Sequence, residues 1–188
     1  MKLIILDRDG VINEDSDDYI KSPEEWVPIP GSLQAIARLT QAGYRIVVAS
    51  NQSGLARGLF DRDTLQHIHD KMHRAVSATG GAIEAIFFCP HGPDDGCECR
   101  KPKPGLLREI AVNLQVDLRG VPAIGDSLRD IQAAQAVGAR PILVRTGKGA
   151  SAVAEGKGLA GVEVYADLAA AADALLRDSG ASTARPRS

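Results

Sequence analysis

The chain has few of the features that mark membrane, nucleic-acid-binding or disulfide-bonded proteins. None of its apolar runs is long enough to span a membrane, and the four apolar residues after Lys2 are too few for a signal-peptide core. The formal net charge is only −2 and aromatic residues make up 4% of the chain, so no basic or stacking surface for nucleic acid is indicated. The three cysteines are an odd number, which excludes a closed set of internal disulfides. We therefore expect a cytoplasmic monomer with neither membrane nor nucleic-acid partners.

Short apolar runs alternate with amphipathic segments along most of the chain. They predict strands at 2–6, 44–49, 83–88, 121–124, 141–144 and 162–165, and helices at 32–41, after 61, at 104–115, 127–137 and 167–177. Alternating strands and helices, with strands that are apolar throughout, predict a parallel sheet covered on both faces. The expected fold is a single α/β domain of residues 1–178, a Rossmann-like three-layer αβα arrangement. The small, polar residues 179–188 predict a disordered tail.

Acidic residues follow two of the predicted strands at the point where each strand ends. Asp7 and Asp9 come after the first strand and Asp126 after the fourth, so all three are expected at one sheet edge, where oxygen ligands suit Mg²⁺. With Ser50 and Lys101 to hold phosphoryl oxygens, the set suits phosphoryl transfer, in which one carboxylate attacks phosphorus and another moves protons. Aspartates at strand ends are often only caps and turns, but that explanation suits one residue better than the joint pattern.

All three cysteines lie within one short segment that also contains a histidine. Residues 89–101 read CPHGPDDGCECRK and contain two pairs of metal-ligand residues: Cys89 with His91, and Cys97 with Cys99. Three thiolates and one imidazole form a closed tetrahedral zinc site, which is structural because no position is left for substrate. The alternative, unrelated thiols in a loop, leaves the clustering unexplained. Because Arg100 and Lys101 follow Cys99 directly, we infer that zinc holds the backbone that presents these two cations.

These motifs resemble those of the haloacid dehalogenase superfamily of phosphohydrolases. The four motifs correspond to Asp7-Arg8-Asp9-Gly10, Ser50, Lys101 and Gly125-Asp126-Ser127-Leu128-Arg129-Asp130. The resemblance implies that Asp7 is the nucleophile and Asp9 the acid/base, an acid that the dehalogenases proper lack. It also implies that Mg²⁺ is held by Asp7, Asp126 and the backbone carbonyl of Asp9, while Asp130 supports the Mg²⁺ site or Lys101.

The zinc loop narrows the resemblance to a branch without a cap domain. This branch contains heptose bisphosphate phosphatases and histidinol-phosphate phosphatases, and the stretches LDRDGVIN, SNQSGLARG, CECRKPKPG and LVRTGKG resemble the heptose enzymes more. The resemblance implies a capless fold and Mg²⁺-dependent removal of the 7-phosphate of heptose 1,7-bisphosphate, on the route to nucleotide-activated heptose and the lipopolysaccharide core. Histidinol phosphate or another small phosphomonoester is the alternative substrate.

The same resemblance implies which residues bind the phosphosugar. They are Ser50, Asn51, Gln52 and Ser53 after the second strand, Arg100 and Lys101 after the zinc loop, and Asp15 and Asp18 in a flap after Asn13. Arg57 is either a further phosphate or sugar ligand or an ordinary surface arginine. Ser127 is included as a binding residue, although related enzymes can carry a lysine at this position.

Two different functional classes share part of the pattern. Receiver domains of signalling proteins also place acids, Ser or Thr and Lys around Mg²⁺, but an acid at position 9 would speed hydrolysis of the phosphate that a receiver must keep. A purely structural zinc module would not require Asp7, Asp9 and Asp126 together. The histidines at 67, 69 and 73 share one predicted helix, where a solvated face is a better interpretation than a second metal site.

Overall fold

Six strands form one parallel sheet in the computed structural model, which describes residues 2–183 and the side chains of residues 2–179. The strands are β1 (Lys2–Leu6), β2 (Tyr44–Asn51), β3 (Ala85–Cys89), β4 (Pro122–Gly125), β5 (Arg140–Val144) and β6 (Glu163–Tyr165). The helices are α1 (Ser32–Gln41), α2 (Arg62–Ala78), α3 (Gly105–Leu114), α4 (Leu128–Ala136), α5 (Gly149–Glu155) and α6 (Leu168–Thr183). The sheet order is β3-β2-β1-β4-β5-β6 and every pairing is parallel, which confirms the predicted fold class.

Hydrophobic cores lie on both faces of the sheet. Ile4 and Leu6 of β1 pack with α1, α2 and α6, whereas Leu3 and Ile5 pack with α3 and α4 on the opposite face. Side chains alternate between the two faces of a strand, so a strand that is apolar at every position needs a helical layer on each side. This requirement is why the apolar runs of the sequence predicted three layers.

The strand order reverses at β1, and the carboxyl ends of β1 and β4 border the crevice where such folds bind ligands. Asp7 follows β1 and Asp126 follows β4, while β2 continues through Ser50 to Asn51. Between β1 and α1, residues 7–31 contain one 3₁₀ turn, at Pro23–Glu25, and two isolated bridges. Within the described residues no inserted domain covers this edge, as the capless prediction requires.

Some boundaries differ from the sequence prediction. The third strand was predicted at 83–88 but is paired from Ala85 to Cys89, because its register with β2 begins at Val47. Helix α5 was not predicted. The last helix continues past 177 to Thr183, so residues 179–183 of the predicted tail are helical, and Tyr44 contacts both Leu175 and Ser179 near this end. Residues 184–188 of the predicted tail lie outside the described part of the chain. Among the described helices, none combines the length and the apolar character that crossing a membrane requires.

Candidate active site

Three carboxylates meet beyond the ends of β1 and β4. One oxygen from each of Asp7, Asp126 and Asp130 lies within 4.8 Å of the other two. Two glycines make room for this group, since a Cβ atom at Gly10 or Gly147 would stand 2.0 or 2.1 Å from Asp126 Oδ2. The glycine that follows the two acids in the sequence is therefore required by close packing against the third acid.

The electrostatics of this group favour a bound cation. Burial raises the pKa of Asp7 well above its usual value; the carboxylates of Asp130 and Asp126 add to the effect, and Lys101 opposes it. Burial, followed by the nearby Asp130 carboxylate, raises the pKa of Asp126 to about 7. A divalent cation would screen this repulsion, and carboxylate oxygens are the ligands that Mg²⁺ prefers. Asp7 and Asp126, the two carboxylates that the resemblance assigns to Mg²⁺, are therefore close enough to bind the same ion.

Lys101 is the cation that faces the three carboxylates. Its ammonium lies 3.2 Å from Asp7 Oδ1 and 2.5 Å from Asp130 Oδ1, and it donates to the carbonyl of Ala49 at 2.8 Å. Burial opposes its charge, but the carboxylates of Asp130 and Asp7 outweigh burial and raise the pKa of Lys101 above its usual value. Lys101 is 4% exposed, so this ammonium is fixed and charged next to Asp7. Of the two roles expected for Asp130, the geometry supports contact with Lys101.

Two residues predicted to bind substrate have side chains engaged within the protein. Asn51 Oδ1 accepts from the Lys101 backbone N–H at 3.0 Å, and Asn51 Nδ2 donates to the Lys101 carbonyl at 3.1 Å. The backbone N–H and the hydroxyl of Ser127 donate to Asp130 Oδ2 at 3.0 and 2.6 Å. Asn51 and Ser127 thus position Lys101 and Asp130, and their contact with substrate stays a prediction.

The carboxylate of Asp9 is held separately by several donors. Arg8 donates to it through Nε at 2.9 Å and Nη2 at 3.1 Å, and Asn13 donates through Nδ2 at 2.9 Å. Gln52 Nε2 donates to Asp9 at 3.0 Å and to Ser50 Oγ at 2.7 Å, which links two predicted catalytic residues. Sequence reasoning missed Arg8 and Asn13, although the position of Arg8 between two acids was a usable signal.

A cavity of about 310 Å³ lies above these groups. The predicted residues that line it are Asp7, Asp9, Asp15, Ser50, Asn51, Gln52, Ser53, Arg57, Arg100, Lys101, Asp126, Ser127 and Asp130. Asp18 is absent from this lining and its side chain is exposed, so its contact with substrate stays a prediction. Four other flap residues also line the cavity: Ser16, Asp17, Tyr19 and Ile20.

Two cations that flank the flap were not assigned a clear role from the sequence. Lys148 donates its backbone N–H to Asp126 Oδ2 at 2.9 Å, and its ammonium lies 3.5 Å from Asp15. The Arg57 guanidinium lies 5.8 Å from the centre of the Tyr19 ring, a cation–π contact. Arg57 is therefore a residue of the cavity wall that contacts the flap, and Lys148 joins the flap to the carboxylate cluster.

The four predicted zinc ligands form one cluster at the end of β3. Cys89 Sγ lies 2.9 Å from Cys99 Sγ and 3.7 Å from Cys97 Sγ, and His91 Nδ1 lies 3.6 and 3.3 Å from the sulfurs of Cys89 and Cys99. Ligands at about 2.3 Å from a tetrahedral ion stand roughly 3.7 Å apart; three of these four distances are near that value and the Cys89–Cys99 pair is closer, so the cluster is compatible with Zn²⁺. Arg100 Nη1 donates to the His91 carbonyl at 3.4 Å, a direct link from this cluster to the cavity wall.

Comparison with known proteins places the chain in a family. Residues 2–127 match the family model described as polynucleotide kinase 3 phosphatase, and residues 98–171 match a model of HAD-hydrolase-like proteins. A relative from Bordetella bronchiseptica named D-glycero-beta-D-manno-heptose-1,7-bisphosphate 7-phosphatase is 63% identical over 95% of this chain and 100% of its own length. A Pseudomonas aeruginosa protein of the same name is 55% identical over 93% of this chain and 98% of its own.

Solved structures agree with the sequence comparisons. The crystal structure of the B. bronchiseptica D,D-heptose 1,7-bisphosphate phosphatase, complexed with magnesium and phosphate, has a TM-score of 0.93 and covers 95% of this chain and 99% of that chain. The corresponding Burkholderia thailandensis structure is 49% identical, with a TM-score of 0.75, and covers 94% of this chain and 99% of that chain. The chain therefore belongs to the haloacid dehalogenase superfamily of phosphatases and, within it, to the D-glycero-beta-D-manno-heptose-1,7-bisphosphate 7-phosphatase family.

Proposed function

We propose that this phosphatase removes the 7-phosphate of D-glycero-β-D-manno-heptose 1,7-bisphosphate. The observation that supports this most directly is the joint position of Asp7, Lys101 and Asp9 around one cavity, in a chain 63% identical to a relative named for that activity. The β anomer is chosen because the relatives carry it in their names. The reaction would belong to the route to nucleotide-activated heptose and the lipopolysaccharide core.

In the proposed mechanism Asp7 is the nucleophile. A carboxylate oxygen of Asp7 attacks phosphorus, the bond from phosphorus to the sugar oxygen breaks, and Asp9 gives a proton to that oxygen. A water molecule then attacks the aspartyl-phosphate, Asp9 takes a proton from it, and phosphate leaves with Asp7 restored. Ser50 and Lys101 hold the phosphoryl oxygens as negative charge develops on them.

The metal ions have different proposed roles. Asp7, Asp126 and the Asp9 backbone carbonyl would hold Mg²⁺, which offsets the charge of the phosphoryl group when it is bound. Cys89, His91, Cys97 and Cys99 would hold a structural Zn²⁺. Burial raises the pKa of the Cys89 thiol to about 12, so a bound cation is needed to keep this ligand as a thiolate.

The remaining substrate contacts are proposed from the cavity wall. Asp15, Ser53, Arg57 and Arg100 line the cavity and would contact the sugar or its second phosphate. Gln52 also lines the cavity, but its amide is bonded to Arg8, Asp9 and Ser50, so its proposed contact with the sugar would be secondary. The domain boundary near 178 and the monomeric state stay predictions. A cytoplasmic location is proposed because the three cysteines are unpaired and suit a reducing compartment.

The experiment is a comparison of kcat/KM for phosphate release with Mg²⁺ on both anomers of heptose 1,7-bisphosphate and on histidinol phosphate. We expect the β anomer to be preferred by at least about tenfold, a difference of roughly 1.4 kcal/mol in transition-state binding. Equal or greater activity on histidinol phosphate would refute the substrate but keep the chemistry. A stable phosphoprotein without turnover would instead indicate a receiver domain.

A further inference from the structure

A fully buried guanidinium lies behind the proposed acid/base. The Arg8 side chain has no solvent exposure, although the neighbouring Asp7 and Asp9 both line the cavity. A buried charge is costly unless its donors are paired, and Arg8 uses Nε and Nη2 on Asp9. Nη2 also lies 3.4 Å from Gln52 Oε1, which leaves Nη1 as the end of the fork that points away from Asp9.

His69 supplies the partner for that remaining end. Its Nε2 lies 3.4 Å from Arg8 Nη1, and His69 is 4% exposed, the only buried one of the four histidines. The sequence prediction of a solvated histidine face is therefore wrong for this residue. It comes from α2, 61 residues after Arg8, so the contact exists only through the fold.

The chemistry of the contact fixes the state of His69. A guanidinium has donors only, so Nε2 must be the acceptor, and the ring must be neutral with its proton on Nδ1. Burial, with the charge of Arg8, lowers the pKa of His69 to about 4, which keeps the ring neutral near pH 7. Arg8 is thus held at both ends, by a carboxylate on one side and by a neutral acceptor on the other.

We propose that His69 is a positioning residue for proton transfer: it holds Arg8, and Arg8 holds the Asp9 carboxylate in the orientation that protonates the leaving oxygen. The inference rests on the proposed function, in which Asp9 is the acid/base. Without the His69 acceptor, Nη1 is a buried donor with no partner. The guanidinium then moves to recover one, and the carboxylate bonded to its other side moves with it.

The dependence of rate on leaving group separates this role from general destabilisation. An alkoxide leaving group needs a proton from Asp9 as its bond to phosphorus breaks, whereas a dinitrophenolate does not. The parameter kcat/KM covers only the steps up to release of the alcohol, so the later hydrolysis of the aspartyl-phosphate does not affect it. A positioning defect therefore lowers kcat/KM for the sugar phosphate and leaves the value for 2,4-dinitrophenyl phosphate nearly unchanged.

The test compares His69→Leu, which removes the acceptor, with His69→Gln, whose amide oxygen can replace it. We expect His69→Leu to lower kcat/KM on heptose bisphosphate by about 10- to 100-fold, a part of the usual effect of a general acid, and on the aryl phosphate by less than threefold. His69→Gln should recover most of the loss. His67→Leu, on the exposed face of the same helix, is the matched control and should keep both activities within twofold.

The Asp9→Asn variant distinguishes a wrong role for Asp9 from a wrong role for His69. In this background His69→Leu should cause no further loss on the sugar phosphate, because there is no acid left to position. If Asp9→Asn itself lowers kcat/KM equally for the two substrates, the assigned role of Asp9 is wrong, and the inference about His69 is wrong with it. Asp9→Asn could show the leaving-group dependence while His69→Leu leaves kcat/KM unchanged or lowers it equally for the two substrates. That result would overturn only the inference about His69. Thermal unfolding of each variant identifies any that do not fold. If His69→Leu does not fold, the ratio of kcat/KM values for the two substrates in His69→Gln and in the unsubstituted protein decides whether the acceptor positions Asp9.

Discussion

Loss of zinc should weaken substrate binding more than it slows the chemical step. The sequence predicted that zinc holds both Arg100 and Lys101, but the structure gives the two residues different supports. Lys101 is buried, is clamped through its backbone by Asn51, and has three polar partners for its ammonium. Arg100 is half-buried, and its guanidinium contacts the carbonyl of His91, one of the four proposed zinc ligands.

The magnitude follows from the contact with a substrate phosphate that Arg100 would lose once its guanidinium is no longer held in place. A hydrogen bond between charged groups contributes about 1.5–3 kcal/mol, so the Cys97→Ser variant should show a rise in KM of about 10- to 100-fold. Because Lys101 stays in place, kcat should fall by less than about fivefold. The assay combines steady-state phosphate release on heptose bisphosphate with metal analysis of the purified variant.

Arg100→Ala provides the control for this reasoning. It should reproduce the rise in KM with zinc retained, and addition of Cys97→Ser to it should change KM by no more than about twofold, since the two changes remove the same contact. A zinc-free variant whose kcat falls a hundredfold at unchanged KM would refute the claim that Lys101 is held independently of zinc. A zinc-free variant with unchanged kinetics would refute any bracing role for the metal.

Three further predictions follow from the buried charges. Asp7→Asn should abolish phosphate release in the steady-state assay while the fold is kept; normal turnover would exclude Asp7 as the nucleophile. Because the pKa of Asp126 is raised to about 7, protons compete with Mg²⁺ for this carboxylate. The apparent dissociation constant for Mg²⁺, measured by calorimetry, should therefore rise as pH falls below about 7, and a constant value from pH 5.5 to 8 would contradict this. His69 has a folded-state pKa of about 4, below its usual 6.5, so the stability it contributes is present above pH 6.5 and lost as pH falls toward 4, by up to about 3 kcal/mol. His69→Gln should flatten that window in chemical unfolding; an unchanged pH dependence would show that His69 is not buried neutral.

Features that depend on neighbours along the chain were predictable. Strand β1 and the acids after it were correctly read, because alternation, apolar runs and strand ends are local properties. The Cys/His cluster was predictable for the same reason, since all four residues lie within 11 residues of chain between Cys89 and Cys99. Helix α2 was correctly predicted to begin after residue 61, and Asp61 is its N-cap, with a side chain that accepts from Thr64 N–H at 2.7 Å.

Features that depend on distant partners were not predictable. Asn51 was predicted as a substrate ligand through the family resemblance, and nothing local showed that its amide also contacts the backbone of Lys101, 50 residues away. Asp18 was assigned to the site through the same resemblance, and its place outside the cavity lining depends on a turn, with Asp18 N–H donating to Ser16 Oγ, that the sequence pattern does not specify.

The sequence by itself determined which groups could take part in chemistry, because strand ends, apolar periodicity and ligand spacing depend only on residues that are close together in the chain. The tertiary structure decided which of those groups touch. It paired Lys101 with Asp7 and Asp130, and it brought His69 against the buried Arg8. Such contacts depend on the order and register of strands and on how helices pack over them, and neither can be read from any one segment of the chain.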